Sequence, residues 1–227
     1  MALTIAIDGP AASGKSTVAR RLAARLNAWR LNTGDMYRAV TWAALRRRID
    51  PEVDPAGVVA LLDSLSLEVR PDNSSRDLNL VLDGAPVPQK AVRSPEVAAK
   101  VSYVARLPAV RTWLVARQRT AAGIGPIVME GRDIGTVVLP DADAKFFITA
   151  SRRVRAERRL AQAGETAPDA TVESVAADIA VRDLIDSIRD VAPLRPAEDA
   201  CVIDTSDMTV DEVLRDVLRH LPEPLQP

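Results

Sequence analysis

The stretch Gly9-Pro10-Ala11-Ala12-Ser13-Gly14-Lys15-Ser16 constrains this chain more than any other. Before it, Leu3–Asp8 alternates short apolar residues as a buried strand would; after it, Val18, Ala19, Leu22, Ala23 and Leu26 recur at helical spacing. Strand, glycine-bearing loop and helix open a βαβ unit. The spacing G-x-x-x-x-G-K-[ST] lets such a loop turn its backbone N–H groups inward around a di- or triphosphate. Glycine permits that turn without steric cost. Lys15 supplies a point charge for the β and γ phosphates, Ser16 a hydroxyl for Mg²⁺, and the helix N-terminus its positive dipole. The expected nucleoside triphosphate contacts are therefore Gly9 to Ser16 and the adjoining Thr17. A chance match is the bland alternative, and the flanking strand and helix weigh against it, as do the mere ten glycines of the chain.

Further along, Trp29–Asn32 reads as a second strand and Asp35–Arg48 as a helix with arginines at its negative end. Leu67–Arg70 and Leu78–Leu82 read as strands around a polar turn, followed by the turn signal Asp83-Gly84. That is antiparallel hairpin character inside an otherwise βα chain. Helical patterns resume near Ser94 and over Ala109–Ala121, and Ile127–Glu130 and Ala144–Thr149 read as central strands. Ser151–Ala163 reads as a strongly basic helix, Gly164–Thr171 as a polar loop, and Val172–Arg189 as a helix. A short strand, Cys201–Asp204, and a helix, Thr209–Leu221, come next, with a proline-rich, fraying tail. The pattern predicts an α/β fold: a doubly wound, parallel, five-stranded sheet with a small antiparallel β insert and a helical lid. Its expected divisions are core 1–65, insert 66–100, core 101–150, lid 151–171 and core 172–227.

Composition narrows the chemistry. Thirty basic against thirty-one acidic residues give a net charge of −1, so no global field points to nucleic acid or membrane. Seven aromatic residues, two Phe, three Trp and two Tyr, are too few for a base-stacking surface. One cysteine, Cys201, excludes an internal disulfide and a multi-thiolate metal site, and one histidine, His220, disfavours a Ser/His triad. Without a signal peptide pattern or a long apolar run, the chain reads as cytoplasmic. Trp29, Trp42 and Trp113 are expected in the core, and Cys201 as an inert buried thiol.

The absence of N-K-x-D argues against a GTPase, which leaves a small kinase with its second substrate across a cleft. Four further segments carry Arg and Asp at loop or helix-start positions. They are Asn32-Thr33-Gly34-Asp35-Met36-Tyr37-Arg38, Glu130-Gly131-Arg132-Asp133-Ile134-Gly135-Thr136, Arg182-Asp183-Leu184-Ile185-Asp186-Ser187-Ile188-Arg189, and Val110-Arg111. Arg182, Asp186 and Arg189 share a helix face, which alone fits a solvated face with i,i+4 ion pairs equally well.

Together with the phosphate loop, Leu139-Pro140-Asp141-Ala142 and Ala192-Pro193-Leu194, these segments resemble the bacterial cytidylate kinases, nucleoside monophosphate kinases, over nearly the whole chain. The resemblance implies transfer of the ATP γ-phosphoryl group to CMP or dCMP by a monomer, with Mg²⁺ as cofactor and no nucleic-acid or membrane partner. It implies that Arg38, Arg132, Arg182 and Arg189 grip the acceptor phosphate and the phosphoryl in flight, with Lys15. Ser102, Arg111 and Asp133 would read cytosine, Asp186 would hold the ribose, and Thr33 would line the pocket. Of the basic helix, Arg158 and Arg159 are expected to reach the ATP phosphates. Asn32 stands where many relatives carry Asp, and Asp35 where a small apolar residue is usual. An Asp35 that capped the helix beginning there would point away from the acceptor phosphate. A kinase for shikimate, adenylate or thymidylate, a nucleotide-binding regulator and a nucleic-acid end kinase are the competing readings.

Overall fold

A computed structural model of the chain describes residues 2–162 and 166–222. Its elements in chain order are β1 (Thr4–Asp8), α1 (Lys15–Arg25), β2 (Trp29–Asn32), α2 (Thr33–Arg46), α3 (Pro55–Leu61), β3 (Leu67–Asp72), β4 (Asp77–Leu82) and β5 (Ala85–Pro86). There follow α4 (Gln89–Val92), α5 (Pro95–Ala105), α6 (Pro108–Ala122), β6 (Ile127–Gly131), one π-helical turn (Ile134–Val138), β7 (Ala144–Thr149), α7 (Arg152–Leu160), α8 (Val172–Ile188), β8 (Cys201–Asp204) and α9 (Val210–Arg219). Residues 164 and 165 of the expected polar loop, and the tail from 223 onward, lie outside the described residues.

The strand order is β3-β4-β2-β6-β1-β7-β8, with β5 beside β4. The expected five-stranded parallel core is β2-β6-β1-β7-β8. The antiparallel hairpin extends the same sheet: β4 meets β2 in parallel at Arg30 and Asp77, whose side chains pair at 2.6 and 2.9 Å. Pro71, which has no N–H, is accommodated because β3 is an edge strand.

Strand alternation sends side chains to two cores. Ala6, Leu31, Ile127 and Met129 face α2, α5 and α6, while Ile5, Ile7, Val128 and Phe146 face α1 and α9. Proline at the first turn starts α3, α5 and α6, and Thr171–Ser174 and Thr209–Glu212 form capping boxes. The tryptophans sit at the rim of the first core rather than inside it. Each is covered by an arginine: Trp29 by Arg76, Trp42 by Arg46 and Trp113 by Arg117 at 5.0, 4.8 and 3.4 Å from the ring centroid. Cys201 is half-buried rather than buried, and partial burial pushes its thiol up. The carboxyl ends of β1 and β6 adjoin where the strand order reverses, the crevice in which such sheets bind ligands.

Candidate active site

The loop between β1 and α1 has the backbone its sequence requires. Gly9 sits at φ 146°, and a Cβ there would lie 2.0 Å from the Ile148 carbonyl oxygen. Gly14, at φ 94°, precedes α1, whose first turn holds no acidic residue to compete for its dipole. Ala11 to Thr17 line one hollow, while Gly9 and Pro10 form the base of the loop. Lys15 is buried and donates from Nζ to the Pro10 carbonyl at 2.5 Å and to Ser13 Oγ at 3.2 Å. Burial, then the positive charge of Arg132, hold its ammonium well below the ordinary lysine range.

The Ser16 hydroxyl donates to Glu130 Oε2 at 2.6 Å, and Arg30 Nη1 donates to Oε1 at 3.1 Å. Burial pushes the Glu130 carboxyl up. Glu130 was not among the residues expected at the site, although an apolar strand ending in a carboxylate was the available signal. Asp8 is also a new member. Its two oxygens accept the Ile134 and Gly135 N–H groups, both at 2.8 Å, and so anchor the π turn that follows Arg132-Asp133. Burial outweighs these bonds and lifts the Asp8 carboxyl to about 6.

A second hollow adjoins the first. Thr33, Ser102, Arg111, Asp133, Asp186 and Arg189 line it, and Arg132 and Arg182 line both hollows. Arg38 lines the first, where a phosphate would enter. Here the far-apart segments meet: Arg111 donates to Asp133 in a buried ion pair, Arg132 Nε donates to Asp186 Oδ2 at 3.1 Å, and Arg189 approaches Asp133 and Asp186 at 3.8 and 3.9 Å. Arg111 Nε, Arg182 Nε and Arg189 Nη2 are buried without a hydrogen-bond partner among the described residues, so the cluster keeps donors for a ligand. Burial and then the charges of Arg132 and Arg38 bring the Arg182 guanidinium down to about 9. Such crowding of positive charge calls for an anion.

Arg158 and Arg159, both in the last turn of α7, go to different places. Arg159 lines the first hollow. Arg158 instead reaches the outside of the loop: it donates to the Ser13 carbonyl at 3.3 Å and to Thr205 Oγ1 and O at 2.9 and 2.7 Å. Arg155, not singled out beyond its place in the basic stretch, donates to the Ala11 carbonyl at 3.3 Å and pairs with Asp183 at 2.7 Å. Asp35 corrects its expected role. The helix cap is Asn32, whose side chain accepts the Asp35 N–H at 3.3 Å, whereas the Asp35 carboxylate lines the hollow and holds Arg93 Nη2 at 2.8 and 2.6 Å. The helix begins at Thr33, two residues before the expected start, so Asp35 lies inside its first turn and Asn32 holds the cap position.

The family model for cytidylate kinase matches residues 5–223. The cytidylate kinase of Corynebacterium glutamicum is 49% identical over 222 residues, 97% of this chain and 94% of that protein. That of Desulforamulus reducens is 47% identical over 214 residues, 94% of each chain. This chain belongs to the cytidylate kinase family. In fold it is also similar to the crystal structure of shikimate kinase from Bacteroides thetaiotaomicron, at a TM-score of 0.50 and 9% identity, covering 96% of this chain and 98% of that one. Among the described residues no helix is long and apolar enough to cross a membrane.

Proposed function

We infer that the protein transfers the γ-phosphoryl group of ATP to the 5′-phosphate of CMP or dCMP, giving ADP and the nucleoside diphosphate. The observation that carries this reading is the shared wall. Arg132 and Arg182 line both hollows, so a phosphoryl group passing from loop to acceptor stays beside the same two cations.

A phosphate monoester has a second pKa of about 6, so its attacking oxygen is already ionised at neutral pH and needs no general base. The barrier is the approach of two anions. Lys15, Arg38, Arg132, Arg182 and Arg189 offset that repulsion and bind the charge that spreads in transfer. Cytosine presents an amino donor beside the acceptors N3 and O2, and the Arg111–Asp133 pair offers a matching donor and acceptor. Uracil reverses the pattern at two of those atoms and would leave buried groups unpaired. Asp186 holds the ribose from the same helix that carries Arg182 and Arg189. The segment 151–171 serves as lid and 66–100 as cover of the acceptor, with α5 bringing Ser102 into place.

The donor set at the loop suits Mg²⁺, since the Ser16 hydroxyl and the buried Glu130 carboxylate are oxygen ligands on one edge of the hollow. Bound there with ATP, Mg²⁺ would neutralise phosphate charge. The test is ADP release with ATP–Mg²⁺ against CMP, dCMP, UMP, AMP and shikimate. CMP and dCMP are expected to turn over far faster than the rest. Equal or better turnover of another acceptor would overturn the reading of Arg111 and Asp133.

A further inference from the structure

A carboxylate is out of place in a hollow built for anions, and Asp35 is such a carboxylate. It lines the loop-side hollow with Lys15, Arg38, Arg93, Arg132 and Arg182, and it is buried. Both of its oxygens lie on Arg93 Nη2, at 2.8 and 2.6 Å, the contact a phosphate would make with the same guanidinium. Arg93 follows α4 and directly precedes the cap of α5, the helix that brings Ser102 to the acceptor hollow. Arg38 lies one turn beyond Asp35 on α2, lines the same hollow and donates to the Val92 carbonyl, next to Arg93, at 3.3 Å. An anion that enters must share or displace a carboxylate already bound there.

We propose that Asp35 is an internal anion that lowers the affinity for phosphate at the junction where the two hollows share Arg132 and Arg182. Inorganic phosphate brings only its charge and meets the repulsion of Asp35 without compensation. A nucleoside monophosphate meets the same repulsion, but its base engages Arg111 and Asp133 and its ribose Asp186, which offsets the loss. The device thus weakens every phosphate alike, and one tethered to a nucleoside still binds through its base and ribose. It rests on the acceptor site assigned above.

Calorimetric titration of inorganic phosphate into the wild type, Asp35→Asn and Asp35→Ala tests the inference without turnover, with melting curves to establish folding. The isosteric Asn keeps the shape should Ala disturb it. Both variants are expected to bind phosphate about tenfold more tightly, as removal of one charge beside a dianion in a partly solvated pocket implies. KM for CMP should fall by a similar factor, phosphate should compete with CMP, and KM for ATP should move less because the loop holds that ligand. Phosphate binding equal in all three proteins, with CMP still competing, would overturn the role of Asp35 and leave the acceptor site standing. A rise in KM for CMP would also overturn it, making Asp35 a mere support of Arg93. Tighter phosphate binding that does not compete with CMP would overturn the proposal as well, by placing the anion that Asp35 repels outside the acceptor site.

Discussion

The two hollows are built in opposite ways. The loop-side hollow is walled on one side by seven contiguous residues, Ala11 to Thr17, that run into the N-terminus of α1, with Lys15 as the charged side chain of that run. The second hollow takes its side chains from α2, α5, α6, the end of β6 and α8, and most of its charged ones belong to an ion pair. A backbone cradle tolerates change in most of its side chains, because none of them makes the contact. A side-chain cradle does not, since each member positions the next. The cost of the second design is visible in Arg182, whose charged state is disfavoured by burial and by the neighbouring Arg132 and Arg38.

The contrast can be broken or sharpened by experiment. Lys15→Ala should lower kcat about 10³-fold, since it removes the one charge of the donor cradle that backbone cannot replace. A loss under tenfold would mean that the loop works by backbone alone. Asp133→Ala should lower kcat/KM for CMP roughly 10²-fold, because it strands the buried Arg111, and should leave KM for ATP nearly unchanged. Comparable damage to both substrates would show that the hollows are one unit.

Asp8 anchors the turn that follows Asp133 and gives a pH signature. Its carboxyl is lifted from 3.8 to about 6 in the folded chain, so the folded state holds the proton more firmly. The stability this residue contributes is full below about 4 and is lost as pH rises through about 6, up to about 3 kcal/mol. Denaturant titrations of wild type and Asp8→Asn at several pH values should diverge across that window; parallel curves would remove the linkage.

Arg158→Ala should raise KM for ATP about fivefold and lower the melting temperature, because it frees the Ser13 carbonyl and Thr205. Arg159→Ala should lower kcat with the melting temperature unchanged. Identical behaviour of the two would erase the distinction between clamp and lid. The smallest effect belongs to Ala12, at φ 57°. Ala12→Gly should relieve about 1 kcal/mol of left-handed strain and change KM for ATP less than threefold.

Legibility followed the same contrast. The loop was readable because its ligand contacts are local: strand, glycines, Lys15 and helix follow one another in the chain. Helix starts were readable for the same reason, as Ser94-Pro95 and Thr209 with Glu212 satisfy nearby N–H groups. Helix α3 carried the same signal in Asp54-Pro55 and was nonetheless missed. The acceptor residues were reached through the family resemblance. Spacing alone left Arg182, Asp186 and Arg189 as an ordinary charged face.

By itself, then, the sequence determined the α/β alternation, the phosphate loop, the hairpin and most helix boundaries, all of which depend on neighbours within a few residues. Tertiary structure decided that the hairpin joins the main sheet through Arg30 and Asp77, and that Asp8 anchors a turn 126 residues away. It also decided that Asn32 caps α2 while Asp35 turns to Arg93. Those outcomes depend on which distant charges the topology brings within reach, and on how far burial strengthens each pairing over water.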